Sequence, residues 1–332
     1  MPILRSRTFH VSTLLVAGSI LALSISAGSV PSSAATPPST APTTKTSRKK
    51  IDPMANSSSS VTAPAKSAHV TVNGVSYYYE VRGTGGTPLV LLHGGLHNTR
   101  LDAPVAARLA EHRQVISVDL QGHGGTADVD RPLRFETMGD DIAELLKQIG
   151  VEKADLMGYS LGGGVALRAA ISHPKQVRKL VLVAIPYASG GWYPEVQEGF
   201  KHLGRALAEM MRPSPVYQTY AAIAPHPEGF PTLLDKVGEL ETRSYDWSAE
   251  VAKLPMPTML VYADADALPI SHIARFFELL GGGKRDAGWD GSGMTHSRLA
   301  ILPGITHYTS FSSPALAASV IPFLDAPMPA AQ

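Results

Sequence analysis

The chain has 332 residues, 44% hydrophobic and 17% charged, with a formal net charge of +1, which is enough apolar material for one large domain or two small ones. It has no cysteine, so disulfides, thiolate metal sites, a cysteine nucleophile and lipid attachment to a cysteine are excluded. Residues 1–67 hold seven Lys/Arg against one Asp, leaving 22 Lys/Arg and 27 Asp/Glu in residues 68–332, a net of −5; this mildly acidic main part gives no electrostatic reason to expect a nucleic-acid partner.

At the N-terminus, Arg5 and Arg7 precede an uncharged apolar stretch from Val11 to Ile25, and Ser33-Ala34-Ala35 follows. A basic start, an apolar centre and small residues are the pattern of a cleaved signal peptide, expected over residues 1–35. The apolar centre is shorter than the roughly 20 residues a membrane span needs, so no stable span is expected in the mature protein. Export to the periplasm or beyond the cell is the expected localisation. The alternative is a cytoplasmic protein whose translation starts at Met54. Ser6 splits the two arginines, so a twin-arginine signal is not supported. Residues 36–67 are rich in Pro, Ser and Thr, with a basic cluster at Arg48-Lys49-Lys50. Such a segment buries too little apolar surface to offset its ordering entropy and is expected to be a disordered linker.

From residue 68 strands and helices alternate. "HVTVNGVSYYYEVRG" predicts two strands joined at Asn73-Gly74. "TPLVLLHGG" and "RQVISVDLQGHG" are short apolar strands running into glycines, and "MGDDIAELLKQIG" has helical spacing. "KADLMGYS" predicts a strand and "LGGGVALRAAISH" a helix stopped by Pro174, followed by the strand "VRKLVLVAIP". After a break come the strand "PTMLVYADAD", the helix "SHIARFFELLGGG", the strand "RLAILPGITH" and a last helix from Pro314 to Leu324. Apolar strands alternating with helices imply an α/β fold, a mostly parallel central sheet covered on both faces. Residues 187–250 interrupt the rhythm with prolines, aromatics and short helical stretches. They predict a helical cap inserted between two core segments, 68–186 and 251–328, over the usual ligand crevice of such sheets.

The stretch "DLMGYSLGGGVAL" (155–167) places Ser160 at a strand-to-helix turn. Such a turn brings residues two before and two after close together, and only small residues fit there; Gly158 and Gly162 give that room. The Leu161 N–H opens the following helix and is placed to donate to a developing oxyanion. G-x-S-x-G in a strand–turn–helix setting is a nucleophile elbow. A serine hydroxyl needs a base, and in this chain order an acid and then a histidine should follow it, each past a strand end. "MLVYADADALP" offers Asp264 and Asp266; "LAILPGITHYTS" offers His307.

With "LLHGG", "VDLQGHG", "MGYSLGG", "VYADAD" and "LPGITHY", residues 70–324 resemble the α/β-hydrolase superfamily, in the branch of small esterases, haloperoxidase-like enzymes and C–C bond hydrolases. The resemblance implies Asp266 as the acid, three residues after Ala263, with Asp264 capping the turn. It implies Gly95 as the second oxyanion donor, Leu96 being the alternative, with His93 ordering that loop from a buried position. Gln121 stands where arginine is common in the family, and His123 is expected to pack beside the elbow. Haloalkane dehalogenases and epoxide hydrolases of this superfamily carry aspartate at the elbow, which Ser160 argues against. The expected activity is hydrolysis of a small or medium-sized carboxylic ester through an acyl-enzyme, with a Ser160–His307–Asp266 triad and neither metal nor organic cofactor. The alternatives are a C–C bond hydrolase or amidase of the same fold and, in another class, a non-catalytic small-molecule receptor. Trp192, Tyr193, Leu96 and Tyr159 are the expected pocket residues. His97 and His296 are expected on the surface or in loops, with contact to the substrate as the alternative, and the glycine-rich stretch 281–293 as a surface loop. The oligomeric state is not readable from the sequence.

Overall fold

The computed structural model describes residues 64–329. The expected signal peptide and most of the expected linker fall outside the described residues. The end of the linker is corrected: β1 (Lys66–Val72) begins inside it, because Lys66 already pairs with Val81 of β2 (Val75–Arg82). The hairpin turns through Asn73 and Gly74, both at positive φ, as a tight two-residue connection requires.

Then follow β3 (Leu89–Leu92), α1 (Ala103–Leu109), β4 (Val115–Val118), α2 (Phe135–Gln148), β5 (Ala154–Tyr159), α3 (Leu161–Ser172) and β6 (Val177–Val183). Between β6 and the next strand the chain forms α4 (Pro194–Lys201), α5 (Ala208–Met211), α6 (Pro215–Ala221), α7 (Phe230–Glu241) and α8 (Ser248–Val251). It returns through β7 (Thr258–Ala265), α9 (Ile270–Leu279), β8 (Arg298–Thr306), α10 (His307–Ser310) and α11 (Pro314–Asp325). The strands form one eight-stranded sheet in the order β1-β2-β4-β3-β5-β6-β7-β8, antiparallel at β1/β2 and β2/β4 and parallel elsewhere. Every residue of β3, β4 and β5 is buried, which is why these strands are unbroken apolar runs without alternation. One face packs against α2 and α3, the other against α1 and α11. Among the described residues no helix is long and apolar enough to cross a membrane.

Strand order fixes where a site can form. From β3 the chain steps to one side, to β4, and then crosses to the other side, to β5. The carboxyl ends of β3 and β5 therefore flank a topological switch point, where open α/β sheets form their ligand crevice. Leu92 lies level with Gly158 in the parallel register, so the loop after β3 and the turn after β5 emerge side by side.

Between Tyr187 and Trp247 the chain leaves the sheet and comes back to its own starting point. Ala188 bridges Asp246, Ser189 N–H donates to Tyr245 O at 3.0 Å and Trp247 N–H donates to Tyr187 O at 3.0 Å. Helix α1 has no counterpart in the sequence reading. Its first turn lacks a side-chain cap; Asp102, which precedes it, instead turns Oδ1 to His97 Nδ1 at 2.9 Å.

Candidate active site

Ser160 follows β5 directly and has φ 50 and ψ −122, a conformation that is strained for a residue with a side chain. Its N–H donates to Val183 O at 2.9 Å and its carbonyl accepts from Gly164 N–H at 3.1 Å, so both neighbouring elements hold the turn. The two glycines are needed for space. A Cβ on Gly158 would sit 2.1 Å from Gly162 O, and one on Gly162 would sit 2.3 Å from His93 O.

The structure brings Ser160, His307 and Asp266 together. His307 Nε2 lies 3.2 Å from Ser160 Oγ, and His307 Nδ1 lies 2.8 Å from Asp266 Oδ1. Asp266 Oδ1 also accepts from the Ala267 N–H at 2.7 Å, and its Oδ2 from the Ala263 N–H at 2.9 Å. A carboxylate so held presents an acceptor to Nδ1, which leaves Nε2 as the ring's free lone pair facing the serine. Asp264 is not at this site. It is exposed and accepts from the Gly304 N–H at 2.9 Å, and these backbone donors hold its carboxyl below the ordinary carboxylate range.

Leu161 is the first residue of α3, where an N–H has no intrahelical acceptor. Gly95 packs close to it: a Cβ on Gly95 would lie 3.6 Å from Leu161 Cδ1. Both residues line one cavity with Ser160 and His307. Leu96 lines it too, at φ 64. Behind this loop His93 is fully buried. The Leu120 N–H donates to its Nε2 at 3.0 Å, so Nδ1 carries the proton and donates to Gly94 O at 2.8 Å. Burial holds this ring neutral, its pKa well below the ordinary value. His123 packs on it, with ring centroids 4.9 Å apart, and burial pushes its pKa from 6.5 down to about 4. Between those pH values the unfolded chain binds a proton that folded His123 refuses, so stability falls as pH drops from about 6.5 to about 4. The difference is worth ~3 kcal/mol. Buried Asp119 and Glu241, both pushed up to about 7, act in the opposite direction, so the effect is read against a variant. From about pH 7.5 to pH 4.5, the urea stability of wild type should fall by ~2–3 kcal/mol more than that of His123→Gln. Equal losses would mean that His123 titrates normally in the folded protein.

The cavity has a volume of about 140 Å³. Trp192 lines it and meets His307 edge-on, with centroids 5.5 Å apart. Tyr159 lines it as well, but its hydroxyl donates to His307 O at 2.9 Å and its ring stacks on Phe311; it holds the backbone of His307 in place. One expectation is corrected. Tyr193 is outside the cavity lining and 36% exposed, because Trp192 is extended and successive side chains of an extended chain point to opposite sides. His97 lies in the loop after β3, as expected, and lines the cavity, held by Asp102 Oδ1 at 2.9 Å from its Nδ1. His296 is exposed, and 281–293 forms turns on the surface with a fully exposed Trp289. Val237 and Glu241 of α7 also line the cavity; no motif in the sequence marked them. Among the described residues no group of three His, Cys, Asp or Glu side chains is arranged to hold a metal ion.

The family described as alpha/beta hydrolase fold matches residues 87–269. The chain is 38% identical over 131 residues to a pimeloyl-acyl-carrier-protein methyl ester esterase of Pectobacterium carotovorum, covering 37% of this chain and 49% of that protein. To the same-named enzyme of Pectobacterium atrosepticum it is 28% identical over 261 residues, covering 72% of this chain and 97% of that one. The chain spans less than half the length of the curated relatives it matches at 38% identity. A solved carboxylesterase of Bacillus subtilis superposes with a TM-score of 0.60 at 18% identity, over 78% of this chain and 91% of that one, which shows a shared fold.

Proposed function

The chain belongs to the α/β-hydrolase family, and within it we propose a serine hydrolase that cleaves a carboxylic ester of a small or medium-sized substrate through an acyl-enzyme. The observation that carries this reading is the unbroken hydrogen-bonded series from Ser160 Oγ through His307 to Asp266, opening onto a cavity of about 140 Å³. The similarity to methyl ester esterases supports it.

Ser160 Oγ attacks the ester carbonyl carbon while its proton passes to His307 Nε2. Asp266 orients the imidazole and stabilises the imidazolium that forms. The N–H groups of Gly95 and Leu161 receive the oxyanion, the second with the help of the helix dipole. Collapse of the tetrahedral species breaks the bond to the alcohol oxygen, which takes the proton from Nε2 and leaves. Water then attacks the acyl-serine, giving its proton to Nε2, and the acid departs as Ser160 recovers it. His93, neutral and bonded through both nitrogens, fixes the loop that carries Gly95.

A ladder of p-nitrophenyl esters from acetate to decanoate tests the reading. Turnover is expected, with the short chains that fit the cavity preferred over decanoate. No turnover of any ester by the folded protein would sink it. The wall is tested separately. Trp192→Ala should lower kcat/KM for p-nitrophenyl butyrate about tenfold or more, through lost apolar contact and a loosened His307, whereas Tyr193→Ala should stay within about twofold. Equal effects would place the substrate elsewhere.

A further inference from the structure

One wall of the cavity carries a group that ester cleavage does not use. Glu241 closes α7 and lines the cavity among Leu203, Val216 and Val237. It is only 9% exposed. Burial alone acts on its carboxyl, pushing it up to about 7, with no hydrogen bond or nearby charge to offset this. Tyr245 is near enough for Glu241 to push its hydroxyl further up, yet that hydroxyl has no partner. A carboxylate at the C-terminal end of a helix also faces the negative end of the helix dipole. Burying a carboxylate with neither cation nor donor is costly, and nothing in the packing around Glu241 offsets it. A positive donor on a bound molecule would offset that cost. The same cavity supplies aromatic rings for such a group, Trp192 and Phe200, with centroids 5.5 Å apart, and aromatic faces attract cations.

We propose that Glu241 recognises a protonated amine on the substrate, so that the preferred esters are short amino esters. The ester half of this statement rests on the serine-hydrolase reading; the ammonium site rests on Glu241 and its cavity.

Calorimetric titration of the wild-type protein at about pH 8 with butylammonium, 1-butanol and butyrate tests it without any turnover. Butylammonium should bind about tenfold or more tightly than 1-butanol, with butyrate weakest. Glu241→Gln should lower the ammonium affinity about tenfold and leave 1-butanol within about twofold. The proposal is overturned if 1-butanol binds wild type as tightly as butylammonium, or if Glu241→Gln leaves their ratio unchanged. Should that variant not fold, the wild-type ratio decides. Turnover of p-nitrophenyl butyrate by the same preparation reports on the esterase reading independently. Ammonium preference without turnover would keep this site and remove the esterase; turnover without ammonium preference would do the reverse.

Discussion

Ser160→Ala is expected to lower kcat for p-nitrophenyl butyrate about 10^4–10^6-fold, with KM and urea midpoint close to wild type. The serine side chain makes one hydrogen bond, to His307 Nε2 at 3.2 Å, so its loss removes the proposed nucleophile and little packing. His307→Ala should cost a comparable factor, and the double variant should be hardly worse than either single one, because the groups act as a unit. A Ser160→Ala protein that kept more than about a hundredth of the wild-type rate would mean that another group attacks the ester.

The largest stability effect should come from a single methyl group. In Gly162→Ala the new Cβ would lie 2.3 Å from His93 O and 2.5 Å from Leu92 O. Both are backbone atoms at the end of β3, a strand paired on each side by β4 and β5, so neither can rotate away as a side chain would. Overpacking a core typically costs ~1–3 kcal/mol where side chains adjust. Here a strand must shift, and a loss of at least ~3 kcal/mol in urea denaturation is expected. Gly190→Ala is the control: nothing lies within 4 Å of its Cβ position, and its midpoint should match wild type. If Gly162→Ala lost less than ~0.5 kcal/mol, the close approach of elbow and strand would be wrong.

Much of this geometry was legible in the sequence because it is local. Ser160 needs only its own strand, turn and glycines to be placed. Asp266 and His307 each follow a strand end, and the parallel order of β5, β6, β7 and β8 lines those ends up. The cavity wall is different. Trp192 is expected there from its place just past a strand end, but Glu241 is not: the two are 49 positions apart in the chain and come from separate elements. They share a cavity only through the way short helices pack, and such helices carry little periodic signal of their own. Tyr193 was misread for a related reason: adjacent aromatics look equivalent until the backbone decides which one faces inward. His97 carries no motif of its own, because its anchor, Asp102, reads in the sequence as an ordinary loop residue.

The neck formed where Ala188 bridges Asp246 and Tyr187 O accepts from the Trp247 N–H has a consequence for how this protein can change. The closure entropy of the whole excursion is settled at that one place. Beyond it, doubling the length of a flexible connection adds only ~0.6 kcal/mol. The proposed reacting residues Ser160, Asp266 and His307 lie outside the neck, while Trp192 and Glu241 lie inside it. Exchanging the segment at this neck would therefore change the part proposed to select the substrate and leave the part proposed to break its bond in register, provided the new segment refills the core that Phe230, Leu233 and Trp247 share with the sheet.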